Sequence, residues 1–278
     1  MRILVTNDDG IDSIGLHVLA RAICGLEGDH EVVVIAPDTE YSGAGAAIGA
    51  LHLIHPEVRR AEIPDCPAAE VWKVSGPPAL CVFFARLGAF GGSFDLVVSG
   101  INPGANVGRS VYHSGTVGAA LTGRNGHISG IAVSQAVTGF GVEGQGWDDA
   151  ITTQHWDSAA SVAASVAQAL VDDMPLDPVV VNINVPDLPL EEFGTWRYAQ
   201  VGDQPPRSMA AATLKPIPGH QDAYTVEMGW GETVELSPET DGGIIERNDV
   251  AITYLTRLQH DDRADLGSVA KALDALLG

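Results

Sequence analysis

The sequence predicts an α/β protein built on a doubly wound, mostly parallel sheet with a C-terminal β-hairpin or oligomerisation appendage. Three observations predict it. Uninterrupted apolar runs (RILVT at 2–6, EVVVIA at 31–36, DLVVS at 95–99) are strands covered on both faces, because a half-exposed strand alternates instead. Helical spacings of apolar residues separate these runs, so crossover helices join consecutive strands. Right-handed crossovers then give a Rossmann-like sheet, in which ligands bind at the carboxyl ends of the strands.

In chain order, 2–6 is the first strand and 13–24 the first helix, with Leu16, Leu19, Ala20 and Ile23 at helical spacing. The second strand, 31–36, is stopped by Pro37. Residues 71–75 are a third strand. Gly76-Pro77-Pro78 ends it and opens a helix over 79–88, since proline is tolerated in a first helical turn. Then come a strand at 95–99, a helix at 115–123 and a strand at 131–134. The glycine-rich segment 139–155 reads as a surface loop, 156–171 as an Ala/Val-rich helix and 179–185 as a strand. Beyond about 190, short strand-like runs at 196–201, 223–228 and 250–255 are separated by Pro/Gly stretches, a pattern of hairpins. Residues 265–277 close the chain as an amphipathic helix. The expected organisation is a core over 1–190 and a hairpin appendage with the closing helix over 191–278, within one domain overall.

Fifteen Lys and Arg oppose thirty-six Asp and Glu, a formal net charge of −21. Such a surface repels long polyanions, which excludes long nucleic acid and anionic membranes as partners. A small anion is still admitted where a metal ion or converging N–H groups reverse the local field. The excess is uneven: residues 1–130 carry 8 cations and 13 anions, net −5, whereas 131–278 carry 7 and 23, net −16. No run of ~20 apolar residues could span a bilayer and no signal peptide opens the chain. Cys24, Cys66 and Cys81 lack CxxC spacing, so neither a disulfide framework nor a zinc site is indicated. A cytoplasmic protein is expected.

The chemistry lies just after the strands. Thr6-Asn7-Asp8-Asp9-Gly10 puts two adjacent carboxylates at a strand end, and a hard divalent cation would relieve their repulsion. The competing reading is one helix-capping aspartate and one solvated aspartate. After the second strand, Ser42 stands before Gly43 in a glycine-rich turn. After the fourth, 99–108 (SGINPGANVG) contains three glycines and two asparagines, Asn102 and Asn106, which requires close backbone approach or positive φ. Ser114-Gly115-Thr116 opens a helix, where free N–H groups can hold a phosphate or a plain N-cap suffices. His113 beside them is a candidate general acid. Together these residues are expected to form a metal-dependent phosphate site.

The segments MRILVTNDDG, APDTEYSGAG, VSGPPALCV, DLVVSGINPGAN and HSGTVGAALTGR, in this order, resemble the SurE family of survival protein E nucleotidases. VVNINVP and ETDGGIIERNDVAITYL resemble its C-terminal half more loosely. The resemblance implies a metal-dependent phosphatase acting on nucleoside 5′- and 3′-monophosphates, with some members trimming short polyphosphate. It also implies a homodimer or homotetramer that exchanges C-terminal elements. One divalent cation per subunit, Mg²⁺ or Mn²⁺, would be held by Asp8, Asp9, Ser42 and Asn102. The phosphate would meet Ser114, Gly115 and Thr116, with Asn7, Gly43 and Asn106 nearby. Where the family commonly has Gly-His-Ser after the metal-binding serine, this chain has Gly45-Ala46-Ala47.

In the resulting expectation Asp8 or Asp9 is the catalytic base toward water, and a covalent aspartyl-phosphate stays open. Two rival readings remain. One is a non-catalytic nucleotide-binding or scaffold protein derived from this fold. The other, a dinucleotide-dependent oxidoreductase, lacks the G-x-G-x-x-G expected after the first strand.

Overall fold

A computed structural model describes residues 1–66, 69–137, 151–258 and 264–277. The chain runs β1 (Arg2–Thr6), α1 (Ile14–Cys24), β2 (Glu31–Pro37), β3 (Val58–Arg60), β4 (Glu70–Val74), α2 (Pro78–Arg86), β5 (Leu96–Pro103) and α3 (Gly115–Asn125). It continues through β6 (Ser129–Gln135), α4 (Trp156–Asp172), β7 (Val180–Val185), β8 (Trp196–Tyr198), β9 (Met209–Pro216), β10 (Tyr224–Trp230), α5 (Asp241–Ile245), β11 (Val250–Leu255) and α6 (Gly267–Leu277).

Nine strands form one sheet in the order β3-β4-β2-β1-β5-β6-β7-β11-β8. Its centre, β4 through β7, is parallel throughout. The apolar runs explain the layers. Ile3 and Val5 of β1 face α1 and α4 with Val32, Val34 and Val98, while Leu4 faces α2 and α3 with Val33, Val97 and Ala119. Alternate residues of a strand point to opposite faces, so only a continuous apolar run can serve two helical layers. Truncating a buried leucine such as Leu4 to alanine costs about 2–5 kcal/mol.

Helix starts follow local chemistry. The Ser13 hydroxyl accepts from Leu16 N at the head of α1, and Ser114 from Val117 N at the head of α3. Pro78 occupies the first position of α2, where its missing N–H costs nothing. Cys81 is fully buried in the α2 layer. Cys24 is only partly buried and its Sγ lies 2.9 Å from that of Cys66.

The C-terminal third differs from the hairpin series expected of it. β11 inserts into the main sheet, antiparallel to β7 and parallel to β8. Of the three expected runs only 223–228 becomes a hairpin, as β10 pairs with β9 in a separate two-stranded sheet. Asp249, just before β11, accepts Thr195 N at 2.7 Å and Arg197 Nε at 2.6 Å, which holds its carboxyl below the ordinary range and fixes β8 beside β11. The surface loop expected over 139–155 lies, up to residue 150, outside the described residues. Among the described residues, no helix is long and apolar enough to cross a membrane.

Candidate active site

β1 pairs with β2 on one side and with β5 on the other. The chain moves outward to β4 before returning to β5, so strand order reverses between β1 and β5, and a crevice opens beyond their carboxyl ends. Thr6 stands opposite Ser99 in register, which sets Asn7–Gly10 beside the loop that follows Ser99.

Asp8 is 2% exposed. Burial pushes its carboxyl pKa up, against opposing hydrogen bonds from the Thr116 hydroxyl and from nearby backbone N–H groups, including those of Thr116 and Gly115. Thr116 Oγ1 donates to Asp8 Oδ1 at 2.5 Å. A Cβ on Gly115 would lie 2.7 Å from the Asp8 Cβ and Oδ2, so only glycine lets the helix approach this closely. Burial raises the Asp9 carboxyl well above its ordinary value, and the charges of Asp8 and Glu40 raise it further. Asp9 Oδ2 is buried without a hydrogen-bond partner among the described residues. No ion pair to a basic side chain reaches either aspartate among the described residues.

A cavity of about 470 Å³ opens beside Asp8, and Asp8, Ser42, Asn102, Asn106, His113 and Ser114 line it, with Gly43 at the serine turn. Asn102 donates its amide to Gly104 O at 2.6 Å, which turns its carbonyl oxygen away from that bond. Asn106 is held on every side. Its N–H donates to Asn184 Oδ1 and its amide to Ser134 Oγ, both at 2.8 Å. Its carbonyl accepts from the amides of Asn182 and Asn184, each at 3.2 Å. Four buried polar residues thus bond to one another inside an apolar sheet, with Asn182 Oδ1 left without a partner among the described residues; losing one partner of such a pair costs about 1–3 kcal/mol.

The structure therefore brings Asp8, Ser42, Gly43, Asn102, Asn106 and Ser114 into one cavity. Asp9, next to Asp8 in the chain, does not line it. Gly115 and Thr116 lie against the Asp8 carboxylate and do not line the cavity wall. Asn7 also stays off that wall: its amide donates to Gly10 O at 3.0 Å and Ser13 Oγ at 2.7 Å, closing the turn before α1. Ala46 and Ala47, at the departure from the family pattern, are exposed, and the turn is anchored by its backbone, Gly45 N donating to His113 O at 2.9 Å. Sequence reasoning missed Ser134, Asn182 and Asn184. Their signal was present as polar side chains inside runs that otherwise read as buried strands. It also missed Arg109, Ser208 and Met209, which close the cavity from the side of the hairpin.

The donor set is all oxygen. Two adjacent carboxylates without a basic partner favour a bound positive charge, and carboxylate, amide and hydroxyl oxygens suit a hard divalent cation. The residues present fit such an ion.

A family model described as Survival protein SurE matches residues 3–207. The 5′/3′-nucleotidase SurE of Erwinia tasmaniensis is 33% identical, covering 92% of this chain and 90% of its own. The 5′-nucleotidase SurE of Haemophilus ducreyi is 37% identical over 91% of this chain and 92% of its own, and that of Stenotrophomonas maltophilia 34% identical over 99% of both. The crystal structure of the SurE protein from Aquifex aeolicus superposes with a TM-score of 0.72 at 25% identity, covering both chains completely.

Proposed function

Since the chain belongs to the SurE family, we propose that it is a divalent-cation-dependent phosphomonoesterase that hydrolyses nucleoside monophosphates to nucleoside and phosphate. The observation that carries this reading is the gathering of Asp8, Ser42, Asn102, Asn106 and Ser114 around one cavity at the strand-order reversal. Asp8, Asp9, Ser42 and Asn102 would hold Mg²⁺ or Mn²⁺, which supplies positive charge against the phosphoryl oxygens and favours ionisation of the attacking water.

The chain's own residues do the rest. Thr116 and the first N–H groups of α3 hydrogen-bond the Asp8 carboxylate, which opposes the cost of its burial and aims it. Asn106 and Ser114, which line the same cavity, orient the phosphoryl group, with Gly43 admitting its close approach; one preorganised donor of this kind is worth roughly 3 kcal/mol in the transition state. A carboxylate of the Asp8–Asp9 pair takes the proton of the attacking water as the P–O ester bond breaks. His113, which lines the same cavity, gives a proton to the departing ribose oxygen. Assembly as a homodimer or homotetramer and a cytoplasmic location belong to the same proposal. Exposed Tyr224, Val226 and Met228 on the hairpin and Leu273 and Leu276 on α6 support the assembly.

Two outcomes are expected. In a panel containing AMP, other nucleoside monophosphates and long polyphosphate at low salt, the monophosphates react with kcat/KM at least about tenfold higher, because the net charge of −21 repels the polymer. Rates on long polyphosphate equal to those on AMP would defeat the reading. Gly115→Ala pushes Asp8 out of place and lowers kcat roughly 100-fold with a modest fall in Tm. Unchanged kcat on AMP in that variant would show that the α3–Asp8 approach has no catalytic role.

A further inference from the structure

Asp241 lies far from the NDDG and HSGT motifs, yet it is completely buried. It forms no salt bridge among the described residues. Its carboxylate is satisfied by backbone N–H groups from three segments: Oδ2 accepts Gly108 N at 3.0 Å, and Oδ1 accepts Gly202 N at 3.0 Å and Gly242 N at 2.9 Å. Gly242 is in α5 itself and Gly202 lies on the way to the β9–β10 hairpin. Gly108 ends the loop that carries Asn102 and Asn106. A buried carboxylate is costly to keep, so its three donors have to be held in fixed relation to one another.

Neighbouring contacts run the same way. Gly108 has φ +54°, and a Cβ there would stand 2.6 Å from the Gln204 carbonyl carbon, so the two backbones touch directly. Arg109 Nη2 donates to Ser208 Oγ at 3.3 Å. Ala105 and Val107 pack with Ile244, Ile245 and Ala251. Ser208 and Met209, where the hairpin begins, line the cavity that also holds Asp8 and Asn106.

We propose that Asp241 is a positioning residue: by fixing the Gly108 backbone it sets the loop that carries Asn102 and Asn106, and by fixing Gly202 it brings the Ser208–Met209 wall to the same cavity. The inference rests on the reading of that cavity as the phosphate site. Asp241→Asn keeps the size of the side chain but turns a donor toward Gly108 or Gly202. Thr240→Ala is the control, because Thr240 caps the same helix through Gly243 N and does not touch Gly108.

The experiment measures kcat, KM for AMP and Tm for wild type and both variants with saturating Mn²⁺, well below the melting transition. Asp241→Asn is expected to lose roughly 100-fold in kcat/KM with a raised KM, a misplacement effect. Thr240→Ala is expected to lose Tm alone. If Asp241 merely held the fold, both variants would lose active fraction and keep the wild-type KM, and that result would overturn the proposal. If Asp241→Asn does not fold, hydrogen exchange on the wild-type protein decides. A Gly108 amide as protected as that of Gly242 supports the latch, and one that exchanges like an open loop overturns it. Wild-type protein inactive on every nucleotide would instead remove the functional reading, and the exchange measurement would still decide the role of Asp241.

Discussion

Asp8→Asn abolishes phosphate release from nucleoside monophosphates, with kcat reduced on the order of 10³-fold or more while the fold is retained. The asparagine is nearly isosteric, and its carbonyl can still accept the Thr116 hydroxyl that Asp8 Oδ1 accepts at 2.5 Å. What disappears is one of the two negative charges that make the cavity attractive to a cation. The same change should raise Tm when no divalent cation is added. Asp8 is buried and Asp9 is half-buried beside it, burial disfavours both charges, and their repulsion disfavours Asp9 further. Removing one charge relieves this cost, so the gain in stability and the loss of activity share one cause. Thermal melts in chelator and steady-state assays with saturating Mn²⁺ measure the two halves separately. A variant that keeps more than half the wild-type rate would contradict the role given to Asp8.

Much of this was legible in the sequence, and the reason is local. The apolar runs of β1, β2 and β5 are read from consecutive residues, and their carboxyl ends must meet wherever strand order reverses. The motifs at 7–10, 42–43, 99–108 and 113–116 therefore converge once the sheet is parallel. What was not legible depends on partners distant in the chain. VAITYL at 250–255 reads as half of a hairpin until β7 is known to be its antiparallel neighbour. Asn182 and Asn184 read as odd residues in a strand until Asn106 is seen between them. Asp241 stands in the sequence only inside a run that loosely resembles the family's C-terminal half, and its bond to Gly108 spans 133 positions. Thr116 and Gly115 read as a phosphate cradle. The close approach of Asp8, visible only in three dimensions, turns them toward the carboxylate.

The acidic balance also divides along this line. The motif-bearing segment 1–130 is nearly neutral at −5, and the excess of −16 belongs to residues 131–278. The negative charge at the cavity is therefore local, from Asp8 on its lining and the adjacent Asp9. A cation bound there reverses the field at the spot where a phosphate must enter, whatever the outer surface carries.

Removal of that cation is the second large effect, and it tests the central claim most directly. Protein dialysed against excess chelator and assayed on AMP should release no phosphate above background. Adding back Mn²⁺ or Mg²⁺ should restore the rate in a saturable way. The same titration should raise Tm by mass action, about 2.7 kcal/mol of stabilisation at a hundredfold excess over Kd, and Asp8→Asn should lose both responses. An undiminished rate in chelator, with no change in Tm on adding either cation, would contradict the account.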